Sequence, residues 1–166
     1  MKTKWFTIEE LIRCYRERKQ DRCEECRLHQ AAKSLPNGIE ENVVALADEV
    51  LGPAREALGE AVTVNSGFRC PIHNSYVGGV SNSQHIRGQA ADITAGSPEK
   101  NLKLARIIAR QGKWDNMILY VNEPGSLAPR FIHVSYNRYG NNRKTIFKQV
   151  KGQGGYVKVT IDELNG

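Results

Sequence analysis

No stretch of this chain approaches the ~20 consecutive apolar residues that a membrane-crossing helix requires, so no span is expected. The opening MKTKWFTIEELI is basic, then acidic and amphipathic. It lacks the continuous apolar core and small-residue cleavage site of a secretory leader, so the chain is read as made in the cytoplasm. Internal repeats and low-complexity stretches are also missing, which sets repeat architectures aside. Cysteine is sparse: Cys14, Cys23, Cys26 and Cys70. Without a leader, a disulfide framework is not the first expectation. Cys23 and Cys26 form a C-x-x-C with His29 three residues on. Together with Cys14, and closed by His29 or Cys70, they make a candidate structural zinc site; reduced thiols on a helical hairpin are the plainer reading.

What is present is an ordinary globular composition, with 40% hydrophobic and 25% charged residues. The 166 residues suit one domain with a core of its own: a helical part over residues 1–60, then a core over 61–150. A monomer is expected. The formal charge of +6 favours anionic partners. Arg and Lys cluster near the N-terminus and over 138–151, but no nucleic-acid docking motif accompanies them, so nucleic acid is not the expected partner.

The elements fall in two groups. Residues 7–30 read as helix, opened by a Thr7/Glu10 capping box with Leu11, Ile12 and Tyr15 as its apolar stripe. Pro36-Asn37-Gly38 reads as a turn. A second helix over 39–58 carries Val43, Val44, Leu46, Ala47, Val50 and Leu51, with a kink or restart at Pro53 and a stop at Gly59. Residues 61–64 are β-type, and 71–82 read as loop plus one helical turn. Residues 90–93 suit a buried strand, and a third helix runs over 98–111. Four β-type runs follow, over 116–121, 130–136, 145–150 and 156–161. Helices first and strands later predict an α+β fold, with the helices packed on a mainly antiparallel sheet.

The densest chemistry lies in Ser83-Gln84-His85-Ile86-Arg87-Gly88-Gln89-Ala90-Ala91-Asp92. On a helix, His85 and Asp92 would stand about 10.5 Å apart along the axis. On a regular strand their odd separation sends them to opposite faces. Sharing a metal therefore requires a bend, most easily at Gly88. A surface histidine and a solvated aspartate are what the spacing alone favours. In Arg130-Phe131-Ile132-His133-Val134-Ser135-Tyr136, alternation puts Phe131, His133 and Ser135 on one face. A satisfied core histidine is the ordinary reading there. Two His and one Asp on a tetrahedral zinc nevertheless leave one position open, as a catalytic site does.

Ser66-Gly67-Phe68-Arg69, Pro71, Asn74, Val77-Gly78-Gly79, Ser83-Gln84-His85, Gly88 and Ala90-Ala91-Asp92-Ile93 together resemble the zinc D-alanyl-D-alanine peptidases. That family includes carboxypeptidases and phage endolysins, and shares its core with the hedgehog signalling domain. Phe6-Thr7-Ile8-Glu9-Glu10-Leu11, Phe131-Ile132-His133-Val134-Ser135-Tyr136 and Asn142-Arg143 match it too. The resemblance spans about residues 6–150.

It implies a hedgehog/DD-peptidase-like fold and one catalytic zinc held by His85, Asp92 and His133. It also implies hydrolysis of an amide in peptidoglycan peptides, at a D-Ala-D-Ala terminus or within a stem or cross-bridge. Arg69 resembles the family's substrate-side arginine, and Ser83 and Gln84 its loop-shaping neighbours at the substrate site, which hydrogen-bond the ligands. His73 is expected to be packed or exposed rather than a fourth ligand. The chain departs from the pattern where members carry an acid, either three residues before the last His or at the end of the preceding strand. Those places hold Arg130 and Tyr120. The proton acceptor then falls to Glu123, the nearest carboxylate, or the site relies on Tyr120 and the metal, while Asp115 is expected to cap or orient its strand. A non-catalytic zinc-containing wall-binding module is the alternative. A wall hydrolase without a leader resembles a phage or prophage lysin.

Overall fold

The computed structural model describes residues 3–13 and 35–166. Cys14, Cys23, Cys26 and His29, the candidate structural zinc site, lie outside the described residues. Thr7 caps the first helix, α1 (Ile8–Ile12), through the expected reciprocal box with Glu10. The helix predicted over 7–30 is broken at Arg13, which is extended. The Leu11 carbonyl accepts from the Phe68 amide at 2.8 Å, so it is turned out of the helical ladder and onto the core.

Residues 39–58 are helical in three parts: α2 (Ile39–Leu46), a π-helical turn (Ala47–Leu51) and α3 (Gly52–Leu58). Pro53 accounts for the widened turn. It has no N–H, and its ring crowds the carbonyl four residues back, so a regular α-turn does not fit there. The Gly52 amide instead reaches the Ala47 carbonyl, five residues back. Val43, Leu46, Ala47, Val50, Leu51 and Ala54 form the buried stripe.

Strands β1 (Thr63–Ser66), β2 (Ala90–Thr94), β3 (Asn116–Val121), β4 (Phe131–Ser135), β5 (Thr145–Val150) and β6 (Val157–Val159) make one sheet in the order β1-β2-β4-β3-β5-β6. Its pairings are antiparallel except β3–β5. The fold is α+β with a mainly antiparallel sheet. α4 (Pro71–Tyr76) takes the first half of the 71–82 stretch expected as loop plus one helical turn, and α5 (Pro98–Gln111) runs from the Ser97 cap to Gly112. The strand expected over 156–161 is cut short because Thr160 and Glu163 form a capping box that starts α6 (Ile161–Asn165). Among the described residues no helix is long and apolar enough to cross a membrane.

Strand alternation separates the two faces of the sheet. Ala91, Ile93, Met117, Leu119, Ile132 and Val134 are fully buried in the core, where α5 contributes Leu104, Ala105 and Ile108. The other face stays open as a cleft lined by Asp92, Ile118, Tyr120, Phe131 and His133. Across it Ser66, Asp92, His133, Ile118 and Phe147 are successive cross-strand partners, one row over five strands.

Candidate metal centre

Ser83 opens a single 3₁₀ turn (Gln84–Arg87), its hydroxyl accepting from the His85 amide at 3.2 Å. Gly88 closes the turn at φ 68°, a left-handed conformation that favours glycine. The chain then re-enters the sheet as β2, whose third residue is Asp92. This is the bend that sharing a metal requires between His85 and Asp92, and it brings both beside His133 on β4.

The buried His85 ring has one fixed orientation. Its Nδ1 lies 2.8 Å from the Gly67 carbonyl, an acceptor only, so Nδ1 donates and Nε2 turns its lone pair to the cleft. Nε2 stands 3.2 Å from His133 Nδ1 and 3.3 Å from Asp92 Oδ1. His133 Nδ1 is 3.0 Å from the same oxygen. Donors bound at about 2.0–2.1 Å on a tetrahedral ion stand about 3.3 Å apart. The three residues present therefore fit a zinc ion in both donor type and spacing. Burial holds the His85 imidazole below its usual pKa, against the opposing pull of Asp92. Burial works against ionisation of Asp92, but hydrogen bonds from His133 and His85 outweigh it and hold the carboxyl far below its ordinary range.

Around this set the Ser66-Gly67-Phe68-Arg69 segment has a physical reason at each position. Arg69 donates from Nη2 to Asp92 Oδ2 at 3.0 Å, from Nε to Ser66 at 2.9 Å and from Nη1 to Asn74 at 3.3 Å. It thus fixes the outer oxygen of Asp92, an orienting role that its reading as a substrate-side group did not include. Gly67 lies against α1 so closely that a Cβ there would overlap the Leu11 carbonyl.

A second carboxylate is tied down at the start of β3. Asp115 accepts from Arg143 Nε at 3.0 Å, Nη2 at 2.8 Å and backbone N at 2.8 Å, and from Gln84 Nε2 at 2.8 Å. Burial alone would raise its pKa, but these bonds bring it down from 3.8 to about 2. A depressed carboxyl pKa adds stability that is present above the unfolded value and lost as pH falls toward the folded one. The Asp115 share of the unfolding free energy, about 2 kcal/mol, should accordingly be lost between about pH 4 and pH 2, alongside the share lost from Asp92. Asp115→Asn should lack the Asp115 share of that slope and keep the rest, as denaturant titrations of parent and variant across this range will check.

The remaining predicted residues divide. Tyr120 lines the cleft, stacked on Phe131 with ring centroids 4.4 Å apart. Burial raises its pKa, as does the neighbouring Tyr156. Glu123 is exposed beyond β3 and is not among the residues lining the cleft. Ser83 accepts from the His85 amide, while the Gln84 side chain bonds Asp115 rather than a ligand. His73 is buried on α4 and does not line the cleft. Sequence reasoning missed Tyr156, which lines the cleft, and the clamp of Arg143 on Asp115. Asn142-Arg143 was visible as a matching pair, but its partner is 28 residues away.

A family model described as peptidase M15 matches residues 4–135. A zinc D-Ala-D-Ala carboxypeptidase of Streptomyces albus G is 57% identical over 44 residues, which is 26% of this chain and 17% of that protein.

Proposed function

The chain belongs to the peptidase M15 family, and from that premise we propose that it is a zinc-dependent peptidase acting on amide bonds of peptidoglycan peptides. The observation that carries this reading is the convergence of His85 Nε2, His133 Nδ1 and Asp92 Oδ1 within one cleft. These three residues would hold the zinc. When bound, the ion supplies a Lewis acid that polarises the scissile carbonyl and acidifies an attacking water.

The protein's own groups do the rest. Gly67 keeps the His85 proton on Nδ1, so Nε2 is always the free donor. Arg69 holds Asp92 so that Oδ1 faces the two rings. Tyr120, kept neutral, presents a hydroxyl donor on the open face, suited to charge that develops on the carbonyl oxygen. The substrate puts the site of action at the cell wall. Incubating purified wall with the protein, with and without chelator, should release new amine termini only while zinc is present. Zinc-independent release would refute the reading.

One observation favours a second reading, that of a non-catalytic zinc-bearing wall-binding module. The two carboxylates lining the cleft are both committed, Asp92 to the histidines and Arg69, Asp115 to Arg143 and Gln84. Zinc-dependent co-sedimentation with wall but no amine release would establish that reading instead.

Gly67→Ala tests the support of His85 without touching a ligand. The added methyl must displace the Leu11 carbonyl or the Gly67 peptide, and with it the acceptor of His85 Nδ1. Outer partners of this kind are worth about 10–100-fold in metal affinity. A loss of that order, with a lowered melting temperature, is expected from chelator competition and calorimetry.

A further inference from the structure

The cleft runs past the three ligands in both strand directions. On β3, Asn116, Ile118 and Tyr120 all line it, and Ile118 is the residue paired with His133. The ligand row is therefore midway along the strand, with two residues, or ~7 Å, to either side. The full ~13 Å matches about four residues of extended peptide. Releasing one terminal residue needs only ~3.5 Å beyond the scissile bond.

The two ends differ in chemistry. One is aromatic. Tyr120 and Phe131 stack there with planes 13° apart, and Tyr156 lines the same end, edge-on to Phe147 at 6.4 Å. Tyr156 stands on the approach to β6, beyond the family-matched residues 4–135. The other end is polar, with Asn116, Asn137 and Asn141; the Asn116 and Asn137 oxygens already accept from Thr145 and the Tyr139 amide, and their NH2 groups can donate to peptide carbonyls. Among the described residues three arginines line the cleft, and the exposed Arg87 donates from Nε to Gln89. Arg69 sits at the ligand row with Nε, Nη1 and Nη2 each bonded within the protein. Arg143 is clamped to Asp115 by Nε and Nη2.

We propose that the cleft takes an extended peptide lying along the strands and that an internal bond of it is cut. Tyr156, Tyr120 and Phe131 form the subsite for residues on one side of that bond, and the asparagine end receives the other. This rests on the peptidase reading above and narrows it from a terminal or internal bond to an internal one. Tyr156 is the substrate-positioning residue that this reading adds.

The test uses one wall peptide with at least two residues on each side of the scissile bond. Two shortened versions are each trimmed to one residue on one side. Mass spectrometry follows cleavage by the zinc-loaded protein. Calorimetry follows binding of non-cleavable analogues in which the scissile nitrogen is replaced by carbon. The long peptide should be cut internally into two fragments. Tyr156→Ala should weaken its analogue about tenfold, keep its zinc, and leave one of the two shortened analogues unaffected. Release of a single terminal residue from the long peptide, or equal binding by parent and Tyr156→Ala, overturns the proposal. Tyr156-dependent binding of the long analogue without cleavage of the peptide refutes the peptidase reading while the peptide subsite stands.

Discussion

The His85→Ala, His133→Ala double variant is expected to fold, to lose one equivalent of zinc per chain, and to release no measurable amine termini from cell-wall fragments. Two of the three converging donors disappear, leaving a single carboxylate oxygen already hydrogen-bonded to Arg69 through its neighbour. Losing one outer partner costs about 10–100-fold in affinity, so removing two donors should cost well over ~10³-fold. The fold should survive because both histidines lie on the cleft face of the sheet region, while the core residues on the opposite face are untouched. The cost to stability is the buried hydrogen bond from His85 to Gly67, of about 1–3 kcal/mol, together with the contacts of both rings with Asp92, which keeps its pairing with Arg69. Metal analysis after dialysis gives the zinc count, and circular dichroism gives the fold. A double variant that keeps its full zinc complement would remove these residues from the metal site. The cysteines do not confuse the result, because the reading concerns the equivalent lost rather than the total held.

The parts of this site that were legible were those written in local sequence. Ser83 to Asp92 contains its own cap, turn and strand start, and the mismatch between seven residues and any straight element shows that a shared metal would require a bend, most easily at Gly88. Period-two alternation puts His133 on one face with Phe131 but does not say which face opens as the cleft, and a satisfied core histidine is the ordinary reading there. The illegible parts are contacts between distant segments. Nothing around Asp115 announces Arg143, and nothing around Arg69 announces Asp92, 23 residues on, as a partner. The parallel β3–β5 pair is of the same kind. The run Thr145–Val150 reads as a strand, but its place beside β3 depends on β4 having already taken the opposite edge. The ending of α1 was hidden because the group that draws Leu11 out of the helix is the Phe68 amide, far along the chain. Local capping chemistry, by contrast, was readable at Thr7 and equally present at Thr160-Ile161-Asp162-Glu163, where the β-type run ahead of it dominated the reading.

Tyr120→Phe is expected to lower turnover by about 10²-fold, while Glu123→Gln stays within about twofold of the parent and both variants keep their zinc. The two residues lie three apart in sequence but in different environments. Tyr120 is the last cleft-facing residue of β3, two positions beyond the partner of His133. Its ring is held by stacking on Phe131 and by the Arg130 guanidinium, which lies over both rings. Burial and Tyr156 raise its pKa, so the hydroxyl remains a donor at neutral pH and does not accept the proton of an attacking water. A fixed neutral donor serves charge that appears on oxygen in the transition state, and removing one such donor typically costs 10²–10³-fold. Glu123 is the opposite case: a carboxylate of the right kind, but exposed on the turn beyond β3 and outside the cleft lining. To act, it would have to carry the Pro124-Gly125 turn inward, and Lys148 Nζ donates to the Pro124 carbonyl at 2.6 Å, which ties that turn to β5. Phe and Gln each preserve shape and remove one function, a donor in the first and a titrating group in the second. Comparing the pair by amine release at saturating substrate therefore decides between them. A hundredfold loss in Glu123→Gln with Tyr120→Phe unchanged would make Glu123 the proton acceptor, and would require the turn to close over bound peptide.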